Sequence, residues 1–135
     1  MADKTDREIV QQIDQAFAAL IVSLKDLASS VPRENLVRSA AAIEQMCGGL
    51  TANLWDDPFE WTLPETLSND ERIDEYLSEV DLARQRAFGS IDDGALTMYV
   101  SLPSGEAQRL ISLLLETLVR ASELRGRAIS VAARY

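Results

Sequence analysis

The stretch LETLVRASELRGRAIS, residues 115–130, carries the clearest information about the fold. Its apolar residues recur every three or four positions, which places them on one side of an α-helix. The same spacing continues in both directions, from about residue 104 to about residue 133. The resulting stripe consists of Leu110, Leu114, Thr117, Ala121, Leu124, Ala128 and Val131. The chain therefore ends in a long amphipathic helix.

Three further segments show the same helical period. They cover about residues 6–29, 33–55 and 68–89. Pro32 separates the first two, because proline is tolerated in the first turn of a helix but not in its interior. Ser68 is the expected N-cap of the third helix, and Gly89 is a natural C-terminal stop. Four amphipathic helices of this length indicate an all-α four-helix bundle.

The connections between these helices constrain the topology. The first two helices are joined by a few residues, so we expect them to be antiparallel neighbours. The link DDPFEWTLPETL, residues 56–67, can reach back along the whole second helix. It predicts a long crossover between helices 2 and 3, which would then run parallel. The piece ALTMYV, residues 95–100, has strand-forming residues but no evident partner strand, so we expect an extended segment. Residues 1–135 form a single domain.

Charge and composition exclude several classes of protein. The net charge is −9, and residues 56–93, with twelve acidic and three basic residues, account for it. No broad basic surface is present, so nucleic-acid binding is not expected. No apolar run is long enough for a membrane span, and the polar start MADKTDREIV is unlike a secretory signal. With a single cysteine, these features predict a cytoplasmic protein.

Four segments resemble the DinB-like (DNA-damage-inducible) family of bacterial helical bundles. They are IEQMCGGLTANLW (43–55), IDEYLSEVDLARQRAF (73–88), VSLPSGEAQRLISLLLETL (100–118) and ELRGRAIS (123–130). The resemblance covers about residues 15–130, and Arg125-Gly126 is its most specific part. It implies the four-helix fold and a divalent metal bound by three histidines, one from helix 2 and two from helix 4.

The positions that correspond to those histidines are Cys47, Arg120 and Leu124. The chain contains no histidine, leucine cannot ligate, and arginine is a permanent cation. A lone thiol does not make a divalent-metal site. The resemblance thus implies the fold together with a degenerate metal site, and we expect no metal or other cofactor. The absence of histidine also excludes the common Ser-His-Asp and Cys-His nucleophile systems.

Arg120 has two alternative placements. If it faces the interior of the bundle, it needs a carboxylate partner, and Glu44 or Glu116 is the best candidate. If it lies on the rim, it faces water. Cys47 lies on an apolar helix face, where a free cysteine usually packs as a small hydrophobe.

A second candidate site lies at the open end of the bundle. Four aromatic residues, Trp55, Phe59, Trp61 and Tyr99, could line a small-molecule pocket there or form an interface. They could also simply cap the core.

Three functions follow from these patterns. The first is a non-catalytic binding or interaction protein, acting as a homodimer or with another protein. The second is a ligand-binding or enzymatic domain with a pocket at the former metal site, in which Arg120 binds a small anionic ligand. The third is an acidic helical chaperone or adaptor. A cavity beside Cys47, Arg120 and Leu124 would favour the second.

Overall fold

The computed structural model describes residues 4–59, 67–92 and 94–133. These residues are mainly helical. The long helices are α1 (Lys4–Leu27), α2 (Arg33–Ala52), α3 (Asp70–Gly89) and α4 (Leu110–Ala133). A 3₁₀ turn (Ala95–Thr97) and two short strands, β1 (Tyr99–Ser101) and β2 (Ala107–Arg109), lie between α3 and α4. Within the described ranges, no helix has both the length and the apolar character needed to cross a bilayer.

The helices pack in the cyclic order α1, α3, α2, α4. The most extensive contact joins α2 to α4, followed by α2 with α3 and α1 with α3. The expectation that α1 and α2 are close neighbours is not met, because these two helices contact each other only sparsely. Their short connection crosses the diagonal of the assembly. The longer links that follow carry α3 and α4 to its two open sides.

Polar contacts between helices establish their directions. Arg33 at the start of α2 pairs with Asp70 at the start of α3, and Tyr76 donates a hydrogen bond to Glu44 further along both helices. Helices α2 and α3 therefore run parallel, as the long link between them requires. In contrast, Lys25 near the end of α1 donates to Ser78 of α3 at 3.0 Å, and Arg84 of α3 pairs with Asp14 of α1. Helices α1 and α3 are antiparallel.

One continuous apolar core holds the four helices together. Phe17 and Leu24 of α1 are fully buried, as are Leu36 and Ile43 of α2. The ring of Phe17 lies 5.7 Å from that of Phe88 on α3, at a tilted angle that suits aromatic pairs. Each buried apolar side chain of this size contributes about 1.5–3 kcal/mol, so the core is the main source of stability.

The helix ends and the last connection differ from the sequence-based expectations. Asn69 rather than Ser68 caps α3, because the Asn69 side chain accepts the backbone N–H of Arg72 at 2.8 Å. Helix α4 begins at Leu110 instead of near residue 104. The preceding residues form an antiparallel β-hairpin, so the segment expected to lack a partner strand is paired.

The turn of this hairpin follows from Pro103-Ser104-Gly105. The N–H of Gly105 donates to the carbonyl of Leu102 at 3.0 Å, and the N–H of Leu102 donates to the carbonyl of Glu106 at 2.9 Å. Gly105 has φ = 87°, a left-handed conformation that side chains disfavour. A tight turn closed by a left-handed glycine is a standard hairpin connection.

Candidate functional site

Arg120 lies on the rim of the fold. Its side chain is exposed, and within the described part of the chain it pairs with no carboxylate. Glu44 instead accepts a hydrogen bond from the Tyr76 hydroxyl at 2.5 Å, and Glu116 accepts one from Gln108 at 2.6 Å. An interior ion pair of Arg120 with Glu44 or Glu116 is therefore wrong. Because the Arg120 side chain is exposed, water hydrates its guanidinium group and no carboxylate partner is needed.

Cys47 lies on the side of α2 that faces α1 and α3, whereas Arg120 belongs to α4. The thiol is buried, and its charged neighbours are Arg84, Glu44 and Asp14, which lie towards α1 and α3. Burial raises the pKa of Cys47 to about 12 and also raises the pKa of Glu44. A thiol with such a pKa is almost entirely protonated near neutral pH and is a poor nucleophile. Arg120 and Leu124 line one cavity, but Cys47, the third residue of the predicted group, does not line it.

Helices α2 and α4 share the most extensive helix–helix contact within the described residues. The hydroxyl of Ser39, fully buried, donates to the carbonyl of Ala121 at 2.7 Å and fixes this close contact. Beside it, Ala42 has only a methyl group to fill the space between the helices. A groove therefore opens along the outer edge of the α2–α4 interface. Ala42, Gln45 and Arg120 line both of its compartments.

The first compartment is rich in arginine. This arginine compartment has a volume of about 430 Å³, within the range of small-molecule sites. Arg38 of α2 and Arg120 and Arg127 of α4 line it, together with Phe59, Glu123 and Leu124. Asn35 and Arg127 line this compartment together, and Ser39 contacts Ala121 further along α2. Because the residue number rises on α2 while it falls on α4, the two helices run antiparallel.

Arg120 and Arg127 are available to an incoming anion. Glu123 lies one turn from both Arg120 and Arg127, but no ion pair connects it to either within the described residues. The guanidinium of Arg38 stacks on the Phe59 ring at 3.7 Å from its centroid and touches Glu34 at 3.4 Å. Stacking on an aromatic ring holds the Arg38 guanidinium in a defined plane, which prepares it for bidentate contacts.

The second compartment is more apolar. This tryptophan compartment has a volume of about 370 Å³. Met46 and Trp55 form its α2 side, Leu113 its α4 side, and Leu102 of the hairpin turn closes it. Thus the hairpin that was not predicted supplies one of the walls.

The four aromatic residues do not form the single pocket considered from the sequence. Phe59 lines the arginine compartment and Trp55 the tryptophan compartment. Tyr99 is 64% exposed on the hairpin, where its ring packs beside the guanidinium of Arg109. Trp61 lies outside the described residues.

Several groove residues were missed in the sequence. Arg38 and Gln45 are seven apart on α2, as are Arg120 and Arg127 on α4, so each pair lies on one helix face, two turns apart. Polar residues that repeat every seven positions beside the apolar stripes of α2 and α4 are the sequence signal for this groove.

The described residues contain no cluster of three or more His, Cys, Asp or Glu side chains placed to hold a metal ion. Arg120 and Arg127 of α4 therefore line the groove without a cluster of metal-ligating side chains among the described residues. The sequence matches no family model, and no curated protein and no solved structure is significantly similar to the chain. Function must therefore be argued from the groove itself.

Proposed function

We propose that the protein is a ligand-binding domain that holds a small organic anion in the α2–α4 groove. The observation that carries this proposal is the set of three guanidinium groups, from Arg38, Arg120 and Arg127, around one cavity. Guanidinium groups bind carboxylates and phosphates with two parallel hydrogen bonds, which gives geometric specificity as well as affinity.

The charge around the groove supports an anionic ligand in spite of the net charge of −9. The acidic excess resides in residues 56–93, whereas the arginine compartment has three arginines against Asp57 and Glu123. At physiological ionic strength, charges more than about 8 Å away are largely screened. An anion inside the compartment therefore responds mainly to the local arginines.

We also propose that the fold is that of a divergent DinB-like bundle whose metal site has been lost. Parallel α2 and α3 and the cavity between α2 and α4 are consistent with it. The family takes its metal ligands from these same two helices. Arg120 and Leu124, at two of the positions implied for the histidines, line the arginine compartment, whereas Cys47, at the third, is buried on the side of α2 that faces α1 and α3. On this proposal an anion-binding groove has replaced metal chemistry, and the role is binding rather than catalysis.

Anion binding can be tested by isothermal titration calorimetry with butanoate and with inorganic phosphate. Arg120→Gln removes one charged donor, which should cost about 1.5 kcal/mol, or about tenfold in affinity. Arg86→Gln is the matched control, since Arg86 is an exposed arginine of α3 that lines none of the described cavities. Equal affinities for the two variants and the unmodified protein would contradict the proposal.

A homodimer is a second candidate, because one side of α4 leaves apolar residues uncovered. Leu115 and Val119 are 44% and 57% exposed, one turn apart on that helix, and Val22 of α1 is 57% exposed. Apolar residues grouped on one helix face are typical of helix–helix interfaces. The groove lies on a different side of α4, so dimerisation and anion binding are compatible.

A further inference from the structure

The tryptophan compartment gives the anion a neighbouring apolar space. Arg120, Ala42 and Gln45 line both compartments, so a ligand whose head group lies at Arg120 can extend directly past Ala42. The apolar lining beyond that point includes Met46, Trp55, Leu102 and Leu113, and Ser104, Glu116 and Thr117 are the polar members of the lining. Inorganic anions and short carboxylates would leave this space filled with water.

The wall formed by Trp55 is held in place before any ligand arrives. The indole packs directly on Gly49, where a side chain would overlap three of its ring carbons. The indole N–H donates to the side-chain oxygen of Asn53 at 2.9 Å, and the Trp55 carbonyl accepts from Gln45 at 2.8 Å. Asn53 itself is in the left-handed conformation that ends α2. A preformed wall saves the ordering cost that a mobile side chain would incur on binding.

The charge in the tryptophan compartment argues against a second anionic group at the far end of the ligand. Glu116 lines this compartment and already accepts a hydrogen bond from Gln108. A carboxylate placed there would face another carboxylate without an arginine beyond Arg120. The tail of the ligand should therefore carry no negative charge, and the apolar side chains that line the compartment favour an uncharged one.

From these observations we propose that the ligand is a monocarboxylate with an acyl chain. Its carboxylate binds at Arg120 in the arginine compartment, and its chain lies between Trp55, Met46 and Leu113. This inference rests on the anion-binding function proposed above and specifies the ligand class.

The test is calorimetric titration with butanoate, hexanoate, octanoate and octanedioate. Burial of one methylene group corresponds to about fourfold in affinity, so the dissociation constant should fall about fourfold per carbon until the compartment is full. Octanedioate should bind at least about tenfold more weakly than octanoate, because its second carboxylate meets Glu116.

Two variants locate the chain. Trp55→Ala and, separately, Leu113→Asn should each flatten the dependence on chain length, so that octanoate loses more affinity than butanoate does. Leu82→Ala is the control, because Leu82 is 50% exposed on α3 and lines none of the described cavities. Circular dichroism verifies that each variant is folded, and having two independent variants guards against loss of fold in one.

The outcomes separate this inference from the function on which it rests. If affinity depends on Arg120 but not on chain length, the acyl-chain inference is overturned and anion binding stands. If octanol binds as tightly as octanoate and Arg120→Gln has no effect, anion binding fails although the apolar compartment is real. If none of the four acids binds, both proposals are overturned.

Discussion

The contact between Gly49 and Trp55 makes a sharp prediction about stability. Gly49 lies inside α2, where glycine is normally unfavourable, yet the indole of Trp55 occupies the space that a Cβ would need. Gly49→Ala must therefore displace the indole or distort the end of α2. In most helices the same substitution would be favourable.

The magnitude follows from two opposing effects. Alanine in a helix interior is favoured over glycine by about 1 kcal/mol. Overpacking a filled site costs about 1–3 kcal/mol, so with a cost of about 2 kcal/mol the net change is a loss of about 1 kcal/mol. When Trp55 is replaced by alanine the overlap disappears, and Gly49→Ala should then stabilise by about 1 kcal/mol. The coupling energy between positions 49 and 55 should be about 2 kcal/mol.

Urea unfolding followed by circular dichroism measures all four members of this cycle. Gly126→Ala is the matched control, because Gly126 lies within α4 and a Cβ there would meet nothing within 4 Å. It should raise the free energy of unfolding by about 1 kcal/mol. If Gly49→Ala were as stabilising as Gly126→Ala in the protein that retains Trp55, the reasoning about the wall of the tryptophan compartment would be refuted.

Three other predictions concern the interior and the exposed side of α4. Burial raises the pKa of Glu44 above its usual 4.5, so the folded protein holds the carboxyl proton more tightly than the unfolded chain does. The free energy of unfolding therefore falls as pH rises from 4.5 through the pKa of Glu44 in the folded protein. Glu44→Gln should therefore gain stability relative to the unmodified protein as pH rises above 4.5, and urea titrations with no such gain would contradict the assignment. The Cys47 thiol, with a pKa of about 12, should react with iodoacetamide only after unfolding. Fast alkylation of the folded protein would show that the thiol is accessible. Val119→Asp should shift a dimer towards monomer in analytical ultracentrifugation, whereas an unchanged sedimentation coefficient would exclude this face as the interface.

Much of the helical framework was predictable because local chemistry determines it. The apolar stripes place α1 to α4, Pro32 separates the first two, and Gly89 ends α3. The hairpin was missed for a local reason as well. Pro103-Ser104-Gly105 is a turn signal, but the helical spacing extends back to about Ser104, so the second strand lies within the helix that the spacing predicts.

The site was less predictable because it depends on how α2 is rotated between its neighbours. Cys47 and Glu44 face α3, while Ala42 and Gln45, only two positions away, face α4. A shift of two residues turns a helix by more than half a turn. Arg120 can be picked out as a candidate from the sequence, but the residues that share its cavity follow only from the diagonal placement of α1 and α2.

Binding of an organic anion in the α2–α4 groove can be observed by two-dimensional ¹H–¹⁵N NMR of the labelled protein, titrated with octanoate. We expect saturable shifts to concentrate on α2 around residues 38–46 and on α4 around residues 113–127, and we expect Arg120→Gln to weaken them. Shifts confined to α1 and α3, or a spectrum that octanoate leaves unchanged, would contradict it.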